Sequence, residues 1–186
     1  MKTTKSNRSP SLASALTFAA VGFALAASGC ALSVEAEIPE VTITQRGLAF
    51  QGVPDFGIGD VSMEKSYSQD HGKIEMPEGL DSEIKTIGVT LRATSGVSDL
   101  SFLKLLRVTM SSANVAEPVE LGSYEYDPSA PKSNEIHLTS LNPIDLFEAW
   151  NADKATFTLQ LAGSLPTTAW TADVIVRFSA RAKYEY

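Results

Sequence analysis

One cysteine and two histidines in 186 residues leave little for metal or redox chemistry. A lone cysteine, Cys30, excludes a disulfide-stapled scaffold. Zinc is normally held by His or Cys, and His71 and His137 stand far apart in the chain. No Gly-x-Ser-x-Gly elbow is present, so the usual signature of a serine hydrolase is missing. Basic residues are also scarce: 15 Lys and Arg stand against 22 Asp and Glu, a net charge of −7. That balance argues against nucleic acid as a partner, because phosphate backbones are bound through clustered cations. The charge-free stretch Ser11 to Ala27 is rich in alanine. It falls somewhat short of the roughly 20 apolar residues that a spanning helix needs. No βαβ unit and no internal repeat occurs, which argues against a doubly wound fold.

What is present begins with an address. Met1 to Pro10 is polar and basic, with Lys2, Lys5 and Arg8. The apolar stretch follows, then small residues and Cys30. This is the pattern of a secretory signal. The run Ala27-Ser28-Gly29-Cys30 resembles the lipobox of bacterial lipoproteins, although Ala27 stands where that family usually has leucine. The resemblance implies cleavage before Cys30, a diacylglyceryl group on its thiol, and a membrane partner through that lipid. Two or more acyl chains anchor stably. By the same analogy, Ala31 in place of aspartate favours the outer over the inner membrane of the cell envelope. The resemblance covers residues 1–30 only.

The domains expected are therefore a signal peptide over 1–29, a lipidated cysteine and short tether over 30–40, and a single β-domain over 41–186. The mature chain has 186 − 29 = 157 residues, enough for one core without disulfides. It keeps 15 − 3 = 12 basic residues against 22 acids, a net of −10. An acidic domain suits solvation beside a membrane better than electrostatic docking on anionic headgroups.

From Val41 the pattern is strand and turn. Val41 and Ile43 alternate with threonines, and Val61, Met63, Lys65 and Tyr67 alternate with polar residues. Over Glu83 to Thr94, Ile87, Val89, Leu91 and Ala93 are placed on one face. Ser98 to Leu103 is predicted as a helical turn capped by Ser98. Leu106, Val108 and Met110 point inward from the next strand, and strands follow at Pro118 to Tyr126 and Glu135 to Thr139. Asn142 as N-cap, Pro143 at the first helical position and the stripe Leu146, Phe147, Trp150 predict a helix over 142–150. Ala155 to Leu161 and Val174 to Tyr184 are the clearest strands. The last is long and regular enough to be central. Eight or nine such strands predict an all-β fold: an antiparallel β-sandwich of Ig-like or Greek-key type, with a barrel as the alternative. Asp99-Leu100-Ser101-Phe102-Leu103 ahead of a strand is similar to segments of uncharacterised bacterial β-sandwich lipoproteins, a likeness that brings no function with it.

No catalytic residue, metal or cofactor is assigned. His71 in a turn beside Asp70, and His137 between Ile136 and Leu138, are expected on the surface. Glu75, Glu78, Asp81 and Glu83 around Gly79 are the nearest approach to a calcium loop, without the order such loops use. Phe56-Gly57-Ile58-Gly59-Asp60 lacks the third glycine and following helix of a phosphate cradle. Aromatics offer the remaining ligand-binding candidates: Trp170 near a turn, and Tyr124 with Tyr126 on one strand face. The function expected is that of a non-enzymatic envelope lipoprotein, an accessory subunit of an envelope assembly or a surface protein. A module for glycans or small apolar ligands is the alternative, and a hydrolase with an unrecognised site the third.

Overall fold

The computed structural model describes residues 33–54, 59–71 and 81–185. The signal segment, Cys30, most of the Phe56–Asp60 loop, and Glu75 and Glu78 lie outside the described residues. The strands in chain order are β1 (Ser33–Phe50), β2 (Val61–Asp70), β3 (Asp81–Ser95), β4 (Leu103–Ser112), β5 (Val119–Glu125), β6 (Glu135–His137), β7 (Ser140–Leu141), β8 (Lys154–Gly163) and β9 (Trp170–Glu185). One short helix, α1 (Phe147–Trp150), precedes β8. Two sheets form, in the orders β1-β9-β3-β6 and β2-β8-β4-β5-β7, with every pairing antiparallel. They pack face to face as a β-sandwich, not as a closed barrel.

Alternation builds the core. In β8, Ala155, Phe157, Leu159 and Leu161 are buried while Thr156, Thr158 and Gln160 face outward. In β9, Ala172, Val174, Val176, Phe178, Ala180 and Ala182 form the inner row. Such period-two patterning leaves one face of each sheet to bury against the other. β9 is central, as its length predicts, flanked by β1 and β3. The polar outer face of the second sheet is tied by side chains across strands: Ser66 with Thr158 at 2.8 Å, and Ser68 with Thr156 at 2.9 Å.

Three details depart from the sequence reading. First, β1 begins at Ser33, so residues 33–40, expected as tether, are strand and pair with the end of β9 from Ser33↔Glu185 onward. Second, β3 does not alternate throughout. Thr86 faces Phe178 and Gly88 faces Arg177, so Ile87 is an extra residue in the ladder. A bulge reverses the faces on either side of it. Ile84 and Thr86 point inward before it, Val89, Leu91 and Ala93 after it, and Ile87 is left exposed. Third, the helix is one turn. Asn142 and Pro143 do not start it. Leu146 is its N-cap, and the Asp145 carboxylate just ahead of it accepts from the Phe147 N–H at 3.0 Å and from the Ile84 N–H at 2.9 Å. The Leu146 N–H bonds the Ile84 carbonyl. These bonds to β3 hold residues 145 and 146 against the sheet, where an intrahelical ladder is not available to them. Leu146 and Trp150 are buried as expected.

The corner before β4 is likewise a turn, with Leu103 N–H on the Leu100 carbonyl. Its cap is Asp99, not Ser98: the Asp99 carboxylate accepts from the Ser101 N–H at 3.1 Å and from the Ser101 hydroxyl.

Candidate functional site

β6 covers β3 only from Thr90 to Arg92. Asp145 and Leu146 hold Ile84. Between these two attachments, Lys85 to Gly88 has no strand beside it on that side among the described residues. The chain crosses the gap at Leu141–Pro143 and leaves an open groove of about 270 Å³. Glu83, Lys85, Thr86 and Ile87 form one wall, Leu141, Asn142 and Pro143 the other, and Ser179 and Arg181 of β9 contribute the floor's polar side.

The chemistry of this groove is mixed. Ile87, Leu141 and Pro143 are apolar. Lys85, Arg181 and Glu83 are charged, and Lys85 is paired with Glu83. Thr86 is 6% exposed, and its hydroxyl has no hydrogen-bond partner among the described residues. Three large apolar side chains are exposed among the described residues: Ile87, Ile144 and Tyr126. Ile87 lines the groove and Ile144 follows its Pro143 wall.

The aromatics proposed from sequence fall elsewhere. Trp170 is no surface platform. It is 2% exposed, stacked on Phe50 at 4.1 Å between centroids and set edge-on to Phe102 at 5.4 Å. The turn that suggested exposure lies just before it, but Trp170 opens β9 on the inward face, opposite Phe50. Tyr124 and Tyr126 do share a face. Tyr124 stands opposite the buried Leu106, so that face is the core side, and Tyr124 packs half-buried against the core. Burial first, then the neighbouring Tyr126 and Asp127, raises its phenol pKa. Tyr126 is exposed past the end of β5.

The histidines separate onto different sheets. His71 follows β2 and packs on Trp150 at 4.5 Å, half-buried rather than on the surface. His137 is on β6 and exposed, as expected. Its Nδ1 is 2.9 Å from the Thr90 hydroxyl and its Nε2 is 3.1 Å from Glu135, which also pairs with Arg92. Thr90, His137 and Glu135 thus form a hydroxyl–imidazole–carboxylate chain that spacing in sequence did not reveal. The Thr90 residue is 6% exposed beneath it, so the chain fastens the three-residue β6 to β3. No group of three His, Cys, Asp or Glu suited to a metal occurs among the described residues. Of the acidic loop, Glu83 is engaged with Lys85. No helix among the described residues is long and apolar enough to cross a membrane.

Compared with protein-family models, curated proteins and solved structures, the chain matches none of them.

Proposed function

We propose that this is a lipid-anchored protein of the bacterial cell envelope whose β-sandwich works by binding another envelope component. The observation that carries the reading is the junction at Cys30. The only cysteine closes a basic, apolar and small-residue leader, and strand β1 begins three positions later at Ser33. Lipidation of Cys30 then leaves two residues, Ala31 and Leu32, ahead of a folded strand. Three residue steps reach at most about 10 Å, so the domain is held against its membrane rather than on a stalk. Two or more acyl chains make that attachment stable. The strongly acidic mature chain supports an anchor of lipid rather than of charge.

Labelling cells with an alkynyl fatty acid tests the anchor. The wild-type protein is expected to take up label and to fractionate with membranes. Cys30→Ser is expected to lose the label and to accumulate as uncleaved precursor or as soluble protein. A Cys30→Ser protein still cut at the same site and still retained in the membrane overturns the reading.

A further inference from the structure

The sandwich has two ends, and strand register assigns every element to one or the other. β1 starts at Ser33 opposite Glu185, where β9 stops, and Asp81 at the start of β3 stands opposite Lys183. In the second sheet, β2 ends with Asp70 opposite Lys154, and β4 ends with Ser112 opposite Ala155. Leu146, just ahead of α1 and β8, bonds Ile84 near the start of β3, so these strand ends of the two sheets lie together. At the other end Phe50 meets Trp170, Ser95 meets Thr171, and Val61 and Leu103 both meet Gly163. The loops there are tied through the main chain. The Val53 N–H donates to the Pro166 carbonyl at 3.0 Å, Leu100 to Ser133 at 2.8 Å, and Ser164 to Phe102 at 3.0 Å. The 16 residues of β9 put about 50 Å between the two ends.

Cys30 is three residue steps from Ser33, at most about 10 Å. Acyl chains on Cys30 therefore pin the first end to the bilayer and leave the tilt of the body to charge. The mature chain is strongly acidic. Lys85, Arg92, Lys104, Arg107, Lys154 and Arg177 are each paired with an acid, so these cations give no face a surplus to set against anionic headgroups. Repulsion between like-charged surfaces falls off over a Debye length, roughly 8 Å at physiological ionic strength. Lying flat brings a flank about 50 Å long inside that layer, whereas standing upright brings only one end. We propose that the domain stands upright on its membrane, on the end formed by Ser33, Asp81 and Glu185, and holds loops 51–54, 96–102, 126–134 and 164–169 farthest from the lipid. The far end is then the surface offered to other envelope components. This rests on the acylation of Cys30 and adds the face by which the domain meets its bilayer.

The test uses the lipidated protein extracted from membranes and inserted into preformed vesicles of phosphatidylcholine and phosphatidylglycerol, with an acceptor dye on a headgroup. Acylation consumes the only native cysteine, so a single introduced cysteine carries the donor dye. Asp81→Cys marks the near end, Lys132→Cys and Thr168→Cys the far end, and Arg46→Cys the flank along β1. All four positions are exposed, and circular dichroism melting verifies the fold of each variant. Energy transfer is expected to be several-fold stronger from Asp81→Cys than from the other three. Transfer from Arg46→Cys as strong as from Asp81→Cys places the β1 flank on the lipid and overturns the proposal. Equally strong transfer from Lys132→Cys or Thr168→Cys overturns it as well. Mass spectrometry of the same preparation separates this from the anchor itself. A chain without acyl groups, whose wild type takes the dye on Cys30, overturns the anchor and the orientation together. An acylated chain with uniform transfer overturns the orientation alone.

Discussion

Asp99 and Asp127 do the same work at two corners of the sandwich. Each is followed two positions later by a serine whose N–H and hydroxyl it accepts: Ser101 for Asp99, and Ser129 for Asp127, where the distances are 2.8 and 2.7 Å. An Asp side chain that bonds its own backbone two residues on closes a turn. Those bonds favour the charged carboxylate. The serine side chain acts first and its backbone second in lowering both pKa values below the ordinary 3.8. A carboxyl whose pKa is lower folded than unfolded adds stability above its unfolded value and loses it as pH falls through its folded one. Urea midpoints measured from pH 5 down to pH 2 are therefore expected to fall less steeply in the double variant Asp99→Asn, Asp127→Asn than in wild type, with the difference opening below about pH 4. Identical slopes would remove these two corners from the acid response. The Asp-x-Ser spacing was readable in the chain, yet Ser98 looked the better cap. Only the bend of the chain shows that Asp99 faces the Ser101 amide.

The elements follow the same logic of where hydrogen bonds go. A helix of nine residues over 142–150 is well supported by cap, proline and stripe. The protein spends those residues otherwise, because Asp145 and Leu146 bind Ile84 of β3 and leave a single turn from Phe147 to Trp150. Asp145→Ala removes the acceptor of two N–H groups at once and is expected to cost about 1–3 kcal/mol in chemical denaturation. Asn142→Ala, at the cap position suggested by sequence, is expected to change stability by less than about 0.5 kcal/mol. The reverse ranking would restore the longer helix. β3 shows the related effect within a strand. Strict alternation puts Ile87 with Val89 and Leu91, but one extra residue in the ladder lets Ile84, Thr86, Val89 and Leu91 all point inward and turns Ile87 out. A bulge is invisible to a period-two count, since the residues on its two sides are each in phase with themselves.

Across the whole molecule the open edges are guarded. β1, at one margin, carries Pro39 and two register shifts, and β6 and β7 are only three and two residues long. β2 is the regular edge, ten residues paired in unbroken register with β8. Its protection is Lys65, which sits on the inward row between Met63 and Tyr67. An inward charge on an edge strand discourages a second strand from adding there. Lys65→Val is expected to shift the detergent-solubilised protein toward dimers or larger species in analytical ultracentrifugation, and an unchanged monomer would show that Lys65 is dispensable for this. The order of residues by itself determined the all-β class, the inner rows of β4, β8 and β9, the central place of β9 and the burial of Trp150, because alternation and length act locally and are written along the chain. It also contains the whole of the argument for Cys30. Tertiary structure alone decided that residues 33–40 join the sheet, that Trp170 stacks inside on Phe50, that His137 reaches Thr90, and that no strand among the described residues pairs with β3 beside Thr86. Each of these depends on a partner far away in sequence, and pairing across a sandwich is set by register and bulges that no local pattern encodes.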